Sequence, residues 1–168
     1  MGSLAERCKP IRLLVVDVDG SLTAGGIIYG SAGHEQKRFH VRDGWALKEW
    51  TNAGKSLAVV TGRSSDLVDR RGKELGAGWV IQGAKNKADA WDGLLQAAGV
   101  KAEEVAVLGD DEPDVPLFKL CGLGVAPADA SSTARKQAHL VLRKGGGDGA
   151  ARELLELLMR CQGIWPGH

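Results

Sequence analysis

The apolar run Leu13-Leu14-Val15-Val16 passes directly into Asp17-Val18-Asp19-Gly20-Ser21-Leu22-Thr23. The run is rich in β-branched residues and too short for a helix, so it reads as a strand buried on both faces. Carboxylates at the carboxyl end of such a strand sit where open α/β sheets place their sites. Two aspartates there cost solvation and mutual repulsion unless a cation or a reaction uses them. Asp17 and Asp19 are therefore the first candidates for chemistry.

The rest of the chain alternates strand and helix. After a Gly-Ser-Ala-Gly turn flanked by Ile, Tyr and Phe, Asp43 is expected to cap a helix carrying Trp45, Leu47 and Trp50. Strands follow at 56–60, 79–81, 105–108, 123–126 and 140–142, with helices between them and a last helix from about 149 to 161. This rhythm predicts an α/β fold: a doubly wound, mostly parallel Rossmann-like sheet with helices on both faces. A small β-hairpin insertion at about residues 25–40 is the only addition, and there is no room for a cap domain. The 168 residues suggest one domain over 1–168, ending in a glycine-rich tail and helix at about 145–163. Trp45, Trp50, Trp79 and Trp91 are expected in the core, with Trp45 alternatively walling the site.

Composition excludes several functions. A net charge of +1 argues against a nucleic-acid surface or a polybasic membrane patch. The three cysteines, Cys8, Cys121 and Cys161, are scattered and fit a reducing compartment. No segment approaches the ~18 apolar residues that span a bilayer, and no signal-peptide core precedes the first strand. A cytoplasmic protein is expected.

Polar residues recur at successive strand ends: Asp17 and Asp19, then Thr61-Gly62-Arg63, then Lys85 to Lys87, then Asp110-Asp111 with Asp114. In a parallel sheet they emerge at one edge. Together they suit phosphoryl transfer. Clustered carboxylates hold Mg²⁺, a carboxylate can be the nucleophile, and its neighbour can serve as acid and base. A threonine hydroxyl and a helix-start N–H bind phosphate oxygens, and a lysine neutralises charge. The order of these motifs differs from that of a signal-receiver domain. A Walker-type loop is absent.

Taken in order, Asp17-Val18-Asp19-Gly20 with Thr23, Thr61-Gly62-Arg63, Lys87 and Gly109-Asp110-Asp111-Glu112-Pro113-Asp114 resemble the four motifs of the haloacid dehalogenase superfamily. Within it, the chain resembles the capless 3-deoxy-D-manno-octulosonate 8-phosphate (KDO 8-phosphate) phosphatases. The shared segments include Ile28-Tyr29, Gly33-His34-Glu35, Val41-Arg42-Asp43-Gly44, Gln82-Gly83 and Val125 to Ala130. The resemblance implies a Mg²⁺-dependent phosphomonoesterase. Asp17 would be the nucleophile and a metal ligand. Asp19 would be the general acid/base and give the metal its backbone carbonyl. Asp110 would be the third ligand, with Asp111 and Asp114 behind it. Thr61, Gly62 and Lys87 would hold the phosphate. His40, Val41, Arg42, Asp43, Gly44, Lys48, Arg63 and Arg71 would contact the sugar acid or its phosphate. Plainer roles stand beside several of these: Asp43 as an N-cap, Arg71 as a solvated face residue, His40 as structural. Lys48 stands where the family often has arginine.

The expected substrate is KDO 8-phosphate. The alternatives are a nine-carbon sialic-type sugar acid 9-phosphate and a non-catalytic phosphosugar-binding subunit. Thr61-Gly62-Arg63 favours the first, because the nine-carbon branches often carry a glutamate variant there. The chain has no lid, and the hairpin offers Ile27, Ile28 and Tyr29 to a neighbour. A homo-oligomer, a tetramer by the family resemblance, is expected, with a neighbouring chain and the glycine-rich tail helping to cover each site.

Overall fold

The computed structural model describes residues 3–167. Along the chain come α1 (Leu4–Cys8), β1 (Leu13–Val16), β2 (Ile28–Tyr29), β3 (Glu35–Gln36), α2 (Val41–Asn52), β4 (Ser56–Val60), α3 (Asp66–Leu75) and β5 (Trp79–Ile81). Then follow α4 (Trp91–Ala98), β6 (Val105–Leu108), α5 (Val115–Leu120), β7 (Leu123–Ala126), α6 (Ser132–Gln137), β8 (Leu140–Val141) and α7 (Ala150–Cys161). Six strands form one parallel sheet in the order β5-β4-β1-β6-β7-β8. The chain winds outward from β1 to β5, returns across the centre, and winds outward again to β8. The strand order therefore reverses between β1 and β6, the place where open α/β sheets put their ligands. The doubly wound sheet and the hairpin are as the sequence predicts.

Side-chain alternation assigns the strands to two cores. Leu14 and Val16 of β1, Leu57 and Val59 of β4, and Ala106 and Leu108 of β6 face α2, α3 and α7. Leu13, Val15, Ala58, Val60, Val105 and Val107 face α4 and α5 on the other side. Burial on both faces explains why these strands read as continuous apolar runs.

Three local features differ from expectation. The cap of α2 is His40, whose Nδ1 accepts the N–H of Arg42 at 3.3 Å, and not Asp43. Asp43 lies inside the first turn, pointing into the protein. Trp45 is not a core residue: it is 41% exposed, while Trp50 and Trp91 are buried and Trp79 is half-buried. The helix α1 is an addition that the sequence reading does not predict. Its signal is the capping pair Ser3 and Glu6, in which the Glu6 side chain accepts the Ser3 N–H at 2.6 Å.

The hairpin is minimal, with Ile28 opposite Gln36 and Tyr29 opposite Glu35. Its apolar residues are open to solvent: Ile27 is 48%, Ile28 46% and Tyr29 74% exposed. No helix among the described residues is long and apolar enough to cross a membrane.

Trp50 joins α2 to the sheet, being fully buried and donating from Nε1 to the Ser56 carbonyl at 2.8 Å. Trp50→Ala is expected to cost about 3–5 kcal/mol through the cavity it leaves. Urea denaturation checks this, and a loss below about 1 kcal/mol would contradict the packing described.

Candidate active site

The strand ends bring their acids together around one ammonium. Asp17 follows β1 and continues its ladder, donating its N–H to the Leu108 carbonyl at 2.9 Å. Lys87, in the short turn after β5, places Nζ 2.6 Å from Asp17 Oδ1 and 2.6 Å from Asp114 Oδ1. The other oxygen of Asp114 accepts the N–H groups of Asp110 and Asp111 at 3.0 and 3.3 Å. All three side chains of this acid–base–acid chain are almost wholly buried. Asp110 stands beside them with no cation of its own among the described residues, and one carboxylate oxygen from each of Asp17, Asp110 and Asp114 lies within 4.8 Å of the others. Gly20, at φ +93°, presses against the Asp110 carboxylate so closely that a Cβ there would collide with it.

Electrostatics follow from this crowding. Burial raises Asp17 to about 6, against the opposing pull of Lys87. Burial raises Asp110 further, to about 8, and the negative charges of Asp17 and Asp114 add to the shift. For Lys87, burial disfavours the ammonium, but the two carboxylates outweigh it and its pKa is raised. The site thus carries more negative charge than its own lysine compensates. Hard carboxylate oxygens converging on an undercompensated spot fit a divalent cation such as Mg²⁺. Asp17 and Asp110 offer free oxygens for one, whereas both oxygens of Asp114 are already engaged.

Asp19 points elsewhere. Its Oδ1 accepts from Lys37 Nζ at 2.5 Å, and Arg63 Nε lies 3.8 Å from its Oδ2. Glu35 closes the ring, 3.5 Å from Lys37 and 3.0 Å from Arg63. Glu35 and Lys37 belong to the hairpin arm and are not among the residues that the sequence reading selects. Their signal is the alternation Glu35-x-Lys37, which puts both side chains on one face of an extended segment.

The remaining candidates divide. Thr61 is buried at the end of β4, its N–H donating to the Ile81 carbonyl at 2.9 Å, and Gly62 is exposed beside it. Asp111 is exposed and caps the turn 112–114. The group around α2 is set apart from the carboxylates. His40 and Arg42 line a groove of about 710 Å³ with Arg143, Lys144, Asp148 and Arg152, and neither Asp17, Asp110 nor Lys87 reaches it. Val41 is 80% exposed. Lys48 is exposed on α2, with no side-chain partner among the described residues. Arg71 packs its guanidinium against Gly44, where a Cβ would collide, and lies 5.2 Å from the Phe39 ring centroid and 3.2 Å from Glu74.

Asp43 caps a helix after all, but a distant one. Its oxygens accept the N–H of Arg152 at 2.7 Å and of Gly149 at 3.3 Å, at the start of α7. That bond anchors the glycine run before α7. Gly146 donates to Asp129 Oδ1 at 2.8 Å and abuts the Gly20 carbonyl, and Gly147 donates to the Ser21 carbonyl at 3.1 Å. The tail therefore braces the loop of Asp17 and Asp19 within its own chain. Arg152 is held in turn between the rings of Trp45 and Trp165, 4.6 and 4.5 Å from their centroids.

A family model described as haloacid dehalogenase-like hydrolase matches residues 77–154. The 3-deoxy-D-manno-octulosonate 8-phosphate phosphatase of Escherichia coli (strain K12) is 41% identical over 157 residues, covering 94% of this chain and 84% of that protein. The crystal structure of the phosphatase of the same name from Yersinia pestis superposes with a TM-score of 0.95 at 38% identity, covering 98% of this chain and 89% of that one. The Moraxella catarrhalis phosphatase, solved in complex with a magnesium ion, a phosphate ion and a KDO molecule, gives a TM-score of 0.92 at 40% identity, covering 95% of this chain and 91% of that one.

The crowded acids make stability depend on pH. Asp17 and Asp110 have folded pKa values, about 6 and about 8, above the ordinary aspartate value of 3.8, so the metal-free folded state binds extra protons in between. Stability contributed by those protons is present below about pH 4 and is lost as pH rises through 6 and then 8. Urea midpoints of metal-free protein are expected to be lower near pH 8 than near pH 5 from these two groups, and equal midpoints would count against the assignment. Lys87→Met, which strands two buried carboxylates, is expected to cost about 3 kcal/mol or more near pH 8 and less near pH 5.

Proposed function

Because the chain belongs to the haloacid dehalogenase-like hydrolases, in the family of 3-deoxy-D-manno-octulosonate 8-phosphate phosphatases, and is a phosphatase, we propose that it hydrolyses KDO 8-phosphate to the free sugar acid and phosphate. The carrying observation is the buried Asp17–Lys87–Asp114 chain with Asp110 beside it, at the reversal point of the sheet. Asp17 attacks phosphorus, forming an aspartyl phosphate as the bond to the sugar oxygen breaks. Asp19 gives its proton to the departing alkoxide, then takes one from the water that attacks phosphorus and frees Asp17. Lys87 holds Asp17 ionised and offsets charge on the transferring group. Thr61 and Gly62 receive phosphate oxygens. Mg²⁺, held by Asp17, Asp110 and the Asp19 carbonyl, supplies further neutralisation of that charge when bound.

Specificity in this reading falls to Arg63, part-exposed beside Asp19, whose planar fork suits a carboxylate or phosphate. The α2 residues His40 to Gly44, with Lys48 and Arg71, supply contacts to the sugar acid or support for them. Asp111 and Asp114 act behind the metal ligands. The whole chain is one phosphatase domain. The exposed Ile27, Ile28 and Tyr29 pack against other copies in a homotetramer, which screens the site. A cytoplasmic location belongs to the same reading.

One panel tests substrate and chemistry together: phosphate release from KDO 8-phosphate, nine-carbon sugar-acid 9-phosphates and simple sugar phosphates, read as kcat/KM. KDO 8-phosphate is expected to lead by at least about tenfold, and a nine-carbon substrate in first place would transfer the assignment to that branch. Asp17→Asn and Asp19→Asn are each expected to lower turnover by at least about 10³-fold. Chelation is expected to abolish activity and Mg²⁺ to restore it. Activity indifferent to EDTA would overturn the metal assignment.

A further inference from the structure

The side chain of Lys37, in the segment that leads away from the hairpin, is only 2% exposed. A buried ammonium is costly unless it is paired, so its partners matter. They are Asp19 Oδ1 at 2.5 Å and Glu35 Oε1 at 3.5 Å. Glu35 is held from its other side by Arg63 at 3.0 Å, and Arg63 returns to Asp19 at 3.8 Å. Four alternating charges thus close a ring across three separate stretches of chain: the loop after β1, the hairpin arm and the loop after β4. The members are not equal. Arg63 is 44% exposed and shares its charge with water, whereas Lys37 is dry and at close contact. The effect on Asp19 is asymmetric. Oδ1 is fully engaged, while Oδ2 is buried and makes no hydrogen bond among the described residues. An unsatisfied buried carboxylate oxygen is unfavourable and calls for a reason.

We propose that Lys37 is a positioning residue for the phosphatase reaction: its ammonium fixes the Asp19 carboxylate through Oδ1 and leaves Oδ2 as the oxygen that transfers the proton. The hairpin then has a second task besides its exposed apolar face, since it carries the ion that orients the acid/base. This rests on the reading of Asp19 as the acid/base. Partners that lie behind a functional side chain typically change activity by roughly 10–100-fold when removed.

The test uses full-length protein with Mg²⁺, KDO 8-phosphate and p-nitrophenyl phosphate, whose leaving group departs without being protonated. Lys37→Met is expected to lower kcat on KDO 8-phosphate by roughly 10–100-fold, with KM changed less than about threefold. Lys37→Arg, which keeps the charge, is expected to recover part of the loss. The first-turnover release of p-nitrophenolate is expected to stay within about threefold of the parent protein, because that step needs no acid. If Lys37→Met does not give a cooperative melt, Lys37→Gln replaces it, with the same split expected. A raised KM with unchanged kcat would make Lys37 a substrate contact and overturn the proposal. An equal loss on both substrates, or no loss, would overturn it too. Asp19→Asn is measured alongside: full turnover in that variant would sink the acid/base reading itself, whereas an inactive Asp19→Asn with a fully active Lys37→Met would sink only the role of Lys37.

Discussion

The ammonium of Lys87 between Asp17 and Asp114 is the contact on which the site depends. Each carboxylate is buried at the same sheet edge, and without a shared cation their repulsion and desolvation would drive protonation or local opening. Lys87 removes only part of that burden. Asp110 is left undercompensated, its pKa pushed up to about 8 by burial and by its acidic neighbours. The site is therefore built to receive positive charge. That single property accounts for the fit to a divalent cation.

Holding such a site together requires the loop of Asp17 to Thr23 to be braced from outside. The brace comes from the far end of the chain. Asp43 on α2 caps α7, α7 fixes the glycine run 145–149, and that run lies against Gly20 and Ser21. The closeness of Gly146 to the Gly20 carbonyl leaves no room for a side chain at Gly146, and the Asp110 carboxylate leaves none at Gly20. Stability and function are thus coupled. The same contacts that close one core also set the backbone of the loop from Asp17 to Thr23, so damage at α2 or α7 reaches the site without touching it.

Much was legible in the primary structure because its signals are local. The buried strands announce themselves as unbroken β-branched runs, and the helix stops at Gly76 and Gly99 adopt the left-handed geometry that favours glycine. Asp17, Asp110, Asp114 and Lys87 all stand at strand ends, and a parallel sheet brings such ends to one edge whatever the loops do. The failures were equally physical. Asp43 looks like the cap of its own helix because capping residues are chosen by type, and only the packing of α7 on α2 gives its carboxylate a different partner. Trp45 follows the apolar period of α2 but is drawn outward by Arg152 and Trp165. Lys37 went unselected, since nothing nearby in sequence shows that Asp19 will stand beside it.

By itself the sequence determined the order of elements from β1 onward, the class of fold, and which acids, lysine and threonine would share an edge, because strand periodicity and chain direction are enough to predict those. Tertiary structure alone decided how those charges pair. It put Lys87 between Asp17 and Asp114, gave Asp19 to the hairpin, and spent Asp43 on a helix more than 100 residues away. Charge pairing and helix capping across the fold are settled by distances of a few ångströms between segments far apart in the chain, and local pattern carries no record of them.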